Sequence, residues 1–347
     1  MKQRFLVCLI LTMPVLLITG CRSNIDKTDT GKIEREADGL IAQLDHLNQK
    51  ISANPRNAEL YHERALFYLN NNEYSEAFRD ITQAIEIDAS IVHYYLTLSD
   101  IYLAMGRLQG SMEALDKALM IDDENVTALL KLAELSIVFL NYQKALECID
   151  QALRIDELEP QAFFLHGVVF LENGDTIRAI RNFQQAVEVD QDFFDAHVQL
   201  GLLYAERKNT LAVDYFNNAL NIEPNNTDVL YNLAMFYQTA DDFDKAIVHY
   251  NMIIEADPGF FVAFYNLGFI HLVFLEDYPS AIDYFSEAIK LRHDYAEAYY
   301  NRGLAYELLL DVERSQLDYR KSLEYRPNYE KAIEGLNRID GYLHRNN

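Results

Sequence analysis

The sequence predicts an all-α solenoid, and three observations carry that prediction. Its 347 residues hold only 13 Gly and 7 Pro, too few to punctuate a loop-rich β architecture. Half of the residues are hydrophobic and 12% are aromatic, so the chain can bury a sizeable core and disorder is excluded for most of its length. After residue 57 the chain also resembles itself at a period of about 34 residues. Self-similarity at such a period marks stacked supersecondary units, none of which can bury its apolar face alone.

Charge and cysteine usage narrow the chemistry. The formal charge of −24, from 54 Asp plus Glu against 30 Lys plus Arg, repels phosphate backbones and sets nucleic acid aside as a partner. Three cysteines, without a CxxC pair or a Cys/His cluster, supply neither a disulfide framework nor a structural zinc site. The fold is therefore expected to hold by packing, with no cofactor and no metal.

Residues 1–20 read as a signal peptide. Lys2 and Arg4 precede an apolar run, Phe5 to Ile18, of 14 residues, too short to span a bilayer as a helix. It ends in Ile18-Thr19-Gly20-Cys21, which resembles the lipobox of bacterial lipoproteins. The resemblance implies cleavage, lipidation of Cys21, a membrane anchor and a place in a bacterial cell envelope. Arg22 stands where inner-membrane retention signals carry Asp, so the outer membrane is the expected address. Residues 21–31 are polar, lack a periodic apolar face and read as a flexible tether. Residues 32–54 form an amphipathic helix with Ile33, Leu40, Ile41, Leu44, Leu47 and Ile51 on one face, ended by Asn54-Pro55.

Eight units occupy residues 58–329, starting at Ala58, Val92, Val126, Pro160, Phe194, Thr227, Phe261 and Ala296. Each first helix carries a small residue: Ala65, Ser99, Ala133, Gly167, Gly201, Ala234, Gly268 and Gly303 in turn. Each second helix carries another, from Ala77 to Ser315, and a third seven residues later, where Ile253 is the one departure from Ala or Ser. The fifth unit is one residue short and the seventh one long, changes expected to fall in the turn between helices. Residues 330–347 add a polar helix with Ala332, Ile333, Leu336 and Ile339 on one face. This helix and that of residues 32–54 read as caps, because a solenoid needs its terminal apolar faces covered.

A helix-turn-helix unit with small residues at these places resembles the tetratricopeptide repeat. The place of the family's large aromatic near the start of the first helix is held by Tyr61, Tyr95, Leu129, Phe163, His197, Leu230, Phe264 and Tyr299, and its closing proline survives only as Pro224, Pro258 and Pro327. The resemblance implies a right-handed superhelix whose inner wall is built from the first helices, and a scaffold that binds a protein or peptide segment there.

Position then nominates the binding residues. From the fourth unit onward the fifth place holds Phe164, Val198, Tyr231, Tyr265 and Tyr300, and the ninth holds Val168, Leu202, Met235, Phe269 and Leu304. One helical turn apart, the two rows point the same way. Such an apolar stripe fits a groove that grips a partner. It fits equally a stripe filled by neighbouring repeats, by the helix of residues 32–54 or by a second copy of the chain. Asn232, Asn266 and Asn301, at the sixth place, form a ladder that resembles peptide-backbone clamps of the family, and are also a general feature of its pattern. Carboxylates on the same wall, from Glu59 to Glu307, face a lone Lys131, so a neutral to basic segment with apolar side chains is the expected partner.

Catalysis finds little support. His62 and His93, near Glu59, Glu63 and Asp100, are the one place where a metal or an acid–base pair could be assembled. Cys148 has no activating His at a useful spacing, and no phosphate loop, HExxH or GxSxG occurs. The sequence reads as a non-catalytic, lipid-anchored scaffold, or an adaptor in an envelope machine for outer-membrane assembly, secretion or murein-hydrolase control.

Overall fold

The structure, a computed structural model, describes residues 27–346, with side chains over residues 39–341. The signal segment, Cys21 and residues 22–26 lie outside the described residues. Among the described residues there are eighteen helices and no strand. A long helix, α1 (Lys27–Ala53), precedes eight pairs: α2 (Ala58–Asn70) and α3 (Tyr74–Ile87), α4 (Val92–Ala104) and α5 (Leu108–Ile121), α6 (Val126–Val138) and α7 (Tyr142–Ile155), α8 (Pro160–Glu172) and α9 (Thr176–Val189), α10 (Phe194–Glu206) and α11 (Leu211–Ile222), α12 (Thr227–Thr239) and α13 (Phe243–Ala256), α14 (Phe261–Val273) and α15 (Tyr278–Leu291), α16 (Ala296–Leu308) and α17 (Val312–Tyr325). Helix α18 (Glu330–Asn346) follows.

The helix start at Lys27 differs from the sequence expectation, which placed a tether over residues 21–31. The helix takes in Gly31 at a cost of about 1 kcal/mol. The chain divides into two compact units, Met1–Asp190 with the first four pairs and Gln191–Asn347 with the last four. Within each unit, successive first helices touch directly, α6 with α8 and α14 with α16 among them.

The turns explain why the pairs are so uniform. Each places one residue in the left-handed region: Asn72, Gly106, Leu140, Gly174, Lys208, Asp241, Glu276 and Leu310, at φ between 52° and 80°. The N–H after that residue reaches back to the last turn, as Asn141 does to Ser136 at 2.8 Å and Asp175 to Phe170 at 2.8 Å, closing a Schellman motif. In five of the eight pairs an Asp or Asn next caps the second helix, Asp175 accepting from Arg178 N–H and Asp242 from Lys245 N–H among them. In the seventh unit the extra residue sits in the turn, Phe274 to Asp277. The missing residue of the fifth unit is not lost from its turn. It is taken from the start of α11, which opens with tightened bonds, Ala212 N–H to the Asn209 carbonyl at 3.0 Å and Val213 N–H to that of Thr210 at 3.0 Å. The Schellman closure needs a fixed residue count, so the helix start yields instead.

Volume is conserved across each pair. Where the second helix brings a ring, the first helix offers no side chain: a Cβ on Gly167 would lie 2.5 Å from Phe183, on Gly201 2.5 Å from Phe216, and on Gly268 2.8 Å from Phe285. Where the second helix has Ile81, Leu115 or Ile149 at the matching place, the first has Ala65, Ser99 or Ala133, all buried. Ala234 opposite Tyr250 is the exception, and the Tyr250 hydroxyl is carried out to Gln238 Oε1 at 2.7 Å. Ile253, the departure from the small-residue pattern, is fully buried in the cluster with Ala234, Ala246, Ala263 and Leu267.

The seventh place of a first helix lies between its own second helix and the preceding one. In the first unit Arg64 donates to Asp80, Nη2 to Oδ1 at 2.7 Å, and Nη1 to Asn48 of α1 at 2.6 Å. In the last, Arg302 donates to Asp318 at 2.7 and 2.8 Å and to Ser286 at 3.0 Å. Asn48 occupies the place a preceding second helix would fill, so α1 caps the first unit in that role. At the other end α18 covers Tyr319 with Ala332 and Ile339.

Candidate functional site

The described residues of the second unit bring the predicted inner positions together as a wall of rings. Tyr231, Tyr265 and Tyr300, from α12, α14 and α16, are half-buried. Each is flanked by an aromatic residue one step before the next helix: Tyr231 by Phe260 at 6.0 Å, Tyr265 by Tyr295 at 4.9 Å, and Tyr300 by Tyr329 at 5.3 Å between centroids. Tilted and edge-on geometries of this kind suit the aromatic quadrupole. Phe260, Tyr295 and Tyr329 did not figure among the sequence candidates, although their repeat spacing is visible in the sequence. Burial, with neighbouring Tyr265, Glu297 and Tyr300, pushes the Tyr329 phenol up to about 12. Tyr295, Tyr265 and Tyr300 are raised chiefly by burial as well. These phenols therefore remain neutral donors at physiological pH.

Leu202, Met235, Phe269 and Leu304 are half-buried and pack onto the cores beneath, Met235 beside Tyr250 and both Phe269 and Leu304 beside Phe285. Three expected wall residues offer no such surface: Phe164, Val168 and Val198 are buried. In the first unit Phe164 lies 5.5 Å from the ring of Phe183, the space left by Gly167. In the second, Val198 packs in the cluster of Phe216 and Leu233.

The asparagine ladder is also spent internally. Asn301 Nδ2 donates to the Tyr265 hydroxyl at 3.0 Å, and Asn266 Nδ2 faces the Met235 sulfur at 3.9 Å; both residues are buried. Asn232 is half-buried. Two of the three carboxamides thus orient wall side chains rather than standing open to a backbone.

The acidic wall is answered by cations that first-helix positions do not contain. Arg326, beyond the end of α17, donates to Glu297 at 2.7 Å, and Arg338 of α18 holds Glu307 with bonds of 2.8 and 2.9 Å. Burial opposes ionisation of Glu307, but Arg338 and the Tyr319 hydroxyl outweigh it and hold the carboxyl below its ordinary value. Arg326 also lies 4.7 Å over the Tyr329 ring. In the first unit Lys131 pairs with Asp100. Glu134 accepts from Gln161 at 2.7 Å and titrates above the usual glutamate because it is buried. The expected one-sided charge is thus relieved at Glu297 and Glu307, where arginines arrive from beyond the end of α17 and from the cap α18. Cys148 is buried, and burial raises its thiol.

Uniform helix pairs with matched turns and a wall of half-buried rings define a helical-repeat protein of the protein-interaction class. Family patterns described as tetratricopeptide repeats match residues 58–91, 92–125, 164–220, 203–267 and 296–334, and one described as TPR repeat matches 275–309. The chain belongs to the tetratricopeptide repeat family. It is similar to the BBSome complex member BBS4 of Bos taurus, 30% identical over 101 residues, 28% of this chain and 20% of that protein. It is also similar to Superkiller complex protein 3 of Homo sapiens, 26% identical over 113 residues, 32% of this chain and 7% of that protein. The chain thus matches only a fifth or less of either relative's length. The solved structure of PilF from Pseudomonas aeruginosa shares the fold at 21% identity and a TM-score of 0.51, over 58% of this chain and 92% of that one.

Proposed function

We propose that this protein is a lipid-anchored scaffold of a bacterial cell envelope that holds a protein or peptide segment against the aromatic wall of its second unit. The observation that carries the reading is the ledge of Tyr231, Tyr265, Tyr295, Tyr300 and Tyr329, half-buried rings that sit beside an apolar floor. Rings of this kind give large contact area at low conformational cost and are enriched where partners bind. Because Glu297 and Glu307 are already paired, a neutral segment with apolar side chains fits better than a strongly basic one. The scaffold acts without catalysis of its own.

The anchor rests on Ile18-Thr19-Gly20-Cys21 and its apolar run, with the outer membrane as the address. Among the described residues no helix is long and apolar enough to cross a membrane, so the lipid on Cys21 would supply the attachment. Metabolic labelling with an alkyne fatty acid is expected to mark the protein and to vanish in Cys21→Ser; labelling that persists would remove the anchor from the proposal. A photoreactive residue at Tyr231 or Tyr265 is expected to capture one main partner from membranes, and to lose it when Tyr300→Ala is added. Crosslinks between copies alone would overturn the scaffold reading. An adaptor within an envelope assembly is the second reading, favoured because both curated relatives are named as members of multi-protein complexes.

A further inference from the structure

A cluster in the first unit lies apart from the aromatic wall. Glu59 and His62 on α2 and His93 on α4 bring one ligand atom each to within 4.8 Å of one another. His62 Nδ1 stands 3.4 Å from Glu59 Oε1, and His93 Nε2 stands 3.4 Å from Glu59 Oε2. Both separations exceed an ordinary hydrogen bond of about 2.7–3.2 Å. The two contacts run to the two oxygens of one carboxylate, so three side chains from two helices converge on one point, as the ligands of a bound cation do.

The surroundings are those of a held ligand set. His62 is buried, and its Nε2 lies 2.9 Å from Thr97 Oγ1. In the tautomer that carries its proton on Nε2, Thr97 accepts and Nδ1 turns a lone pair toward the carboxylate, an arrangement that a cation between them resolves. An outer-shell partner on the far nitrogen is also what fixes the tautomer of metal-bound imidazoles. Tyr94 donates its hydroxyl to Glu59 Oε2 at 3.1 Å, orienting the carboxylate. Glu63 and Asp100 stand aside, the first facing Lys50 at 3.9 Å and the second paired with Lys131.

We propose that Glu59, His62 and His93 form a binding site for a borderline divalent transition metal, with zinc the best fit. Two imidazoles and one carboxylate suit zinc, copper, nickel or cobalt and not the all-oxygen preferences of magnesium or calcium. Rotation of the exposed His93 closes the remaining gap. Three protein ligands leave a fourth position to water or to a side chain of a partner. The ion would tie the first helix of one repeat to that of the next.

The test uses the full chain without a histidine tag, stripped with a chelator. Cobalt is expected to give the d–d absorption of a low-coordinate N/O site at one metal per chain, with zinc displacing it. His93→Ala and Glu59→Gln each weaken zinc binding in calorimetry by more than about tenfold, the loss that even an outer-shell change produces. Asp100→Asn leaves it unchanged. His62→Ala empties a buried place, so the test rests on His93 and Glu59, which are exposed and whose variants keep the far-ultraviolet dichroism of the parent. Absence of stoichiometric uptake, or equal uptake in His93→Ala, overturns the site and assigns any metal to other histidines.

Discussion

The missing side chain at Gly167 decides how closely α8 and α9 approach. A Cβ there would meet three atoms of the Phe183 ring at 2.5 to 3.0 Å, and that ring is fully buried and cannot withdraw. Gly167→Ala gains about 1 kcal/mol of helix propensity but overpacks a closed core, so a net loss of about 1–2 kcal/mol is expected in urea melts. Adding Phe183→Leu, which copies the Ala133 and Ile149 volumes of the third unit, is expected to recover part of it. At Glu134 the penalty is electrostatic. Its carboxyl is raised by burial, with Gln161 and Lys131 opposing, so the ionised form is disfavoured in the fold. The folded state binds more protons than the unfolded one between the ordinary and the raised value, and stability falls as pH rises through that window. Glu134→Gln is therefore expected to melt higher than the parent at pH 7, with the gap closing as pH falls through the raised value to the ordinary glutamate range. At this scale the sequence exposed the small residues, because they recur at a fixed period. It did not expose their partners, Phe183, Phe216 and Phe285, which a comparison of second helices against first would have found.

Among elements, the terminal pairs share an ion pair that the inner ones lack at the same places. Arg64 with Asp80 and Arg302 with Asp318 stand where five of the six inner units carry Leu98, Leu132, Leu200, Leu233 and Leu267 and the fourth carries His166, and both carboxylates are buried. A buried pair contributes little over apolar packing, but breaking it strands a charge. Arg302→Leu is expected to destabilise by about 3–5 kcal/mol, and the double change with Asp318→Leu to return most of that, measured by denaturant unfolding. A double variant as unstable as the single one would mean the pair itself sustains the last unit. The turns carry the opposite lesson. Their Schellman closures keep one count in seven of the eight pairs, the seventh pair's turn being one residue longer, and α11 surrenders its first turn sooner than shorten it. Sequence length alone placed that deletion in the turn, because a gap shows how many residues are missing and not which hydrogen bonds are too costly to lose.

Over the whole molecule, stability in a repeat protein accumulates through neighbour interfaces, and its open ends must be covered. Helix α18 does this for the second unit by packing Ala332 and Ile339 on Tyr319 and sending Arg338 to Glu307. A chain ending at residue 329 is expected to unfold at lower temperature, with the eighth pair losing amide-exchange protection first; uniform loss throughout the unit would contradict this nearest-neighbour picture. The sequence by itself determined the all-α class, the eight helix pairs and the places of closest helix contact, since period, small residues and apolar spacing are local and repeat. Only the tertiary structure decided what each inner position is worth. Phe164, Val168 and Val198 are buried, Asn266 and Asn301 serve their own rings, and Glu297 and Glu307 have arginines for partners. Those outcomes depend on side chains arriving from second helices and caps, and a register along first helices cannot contain them.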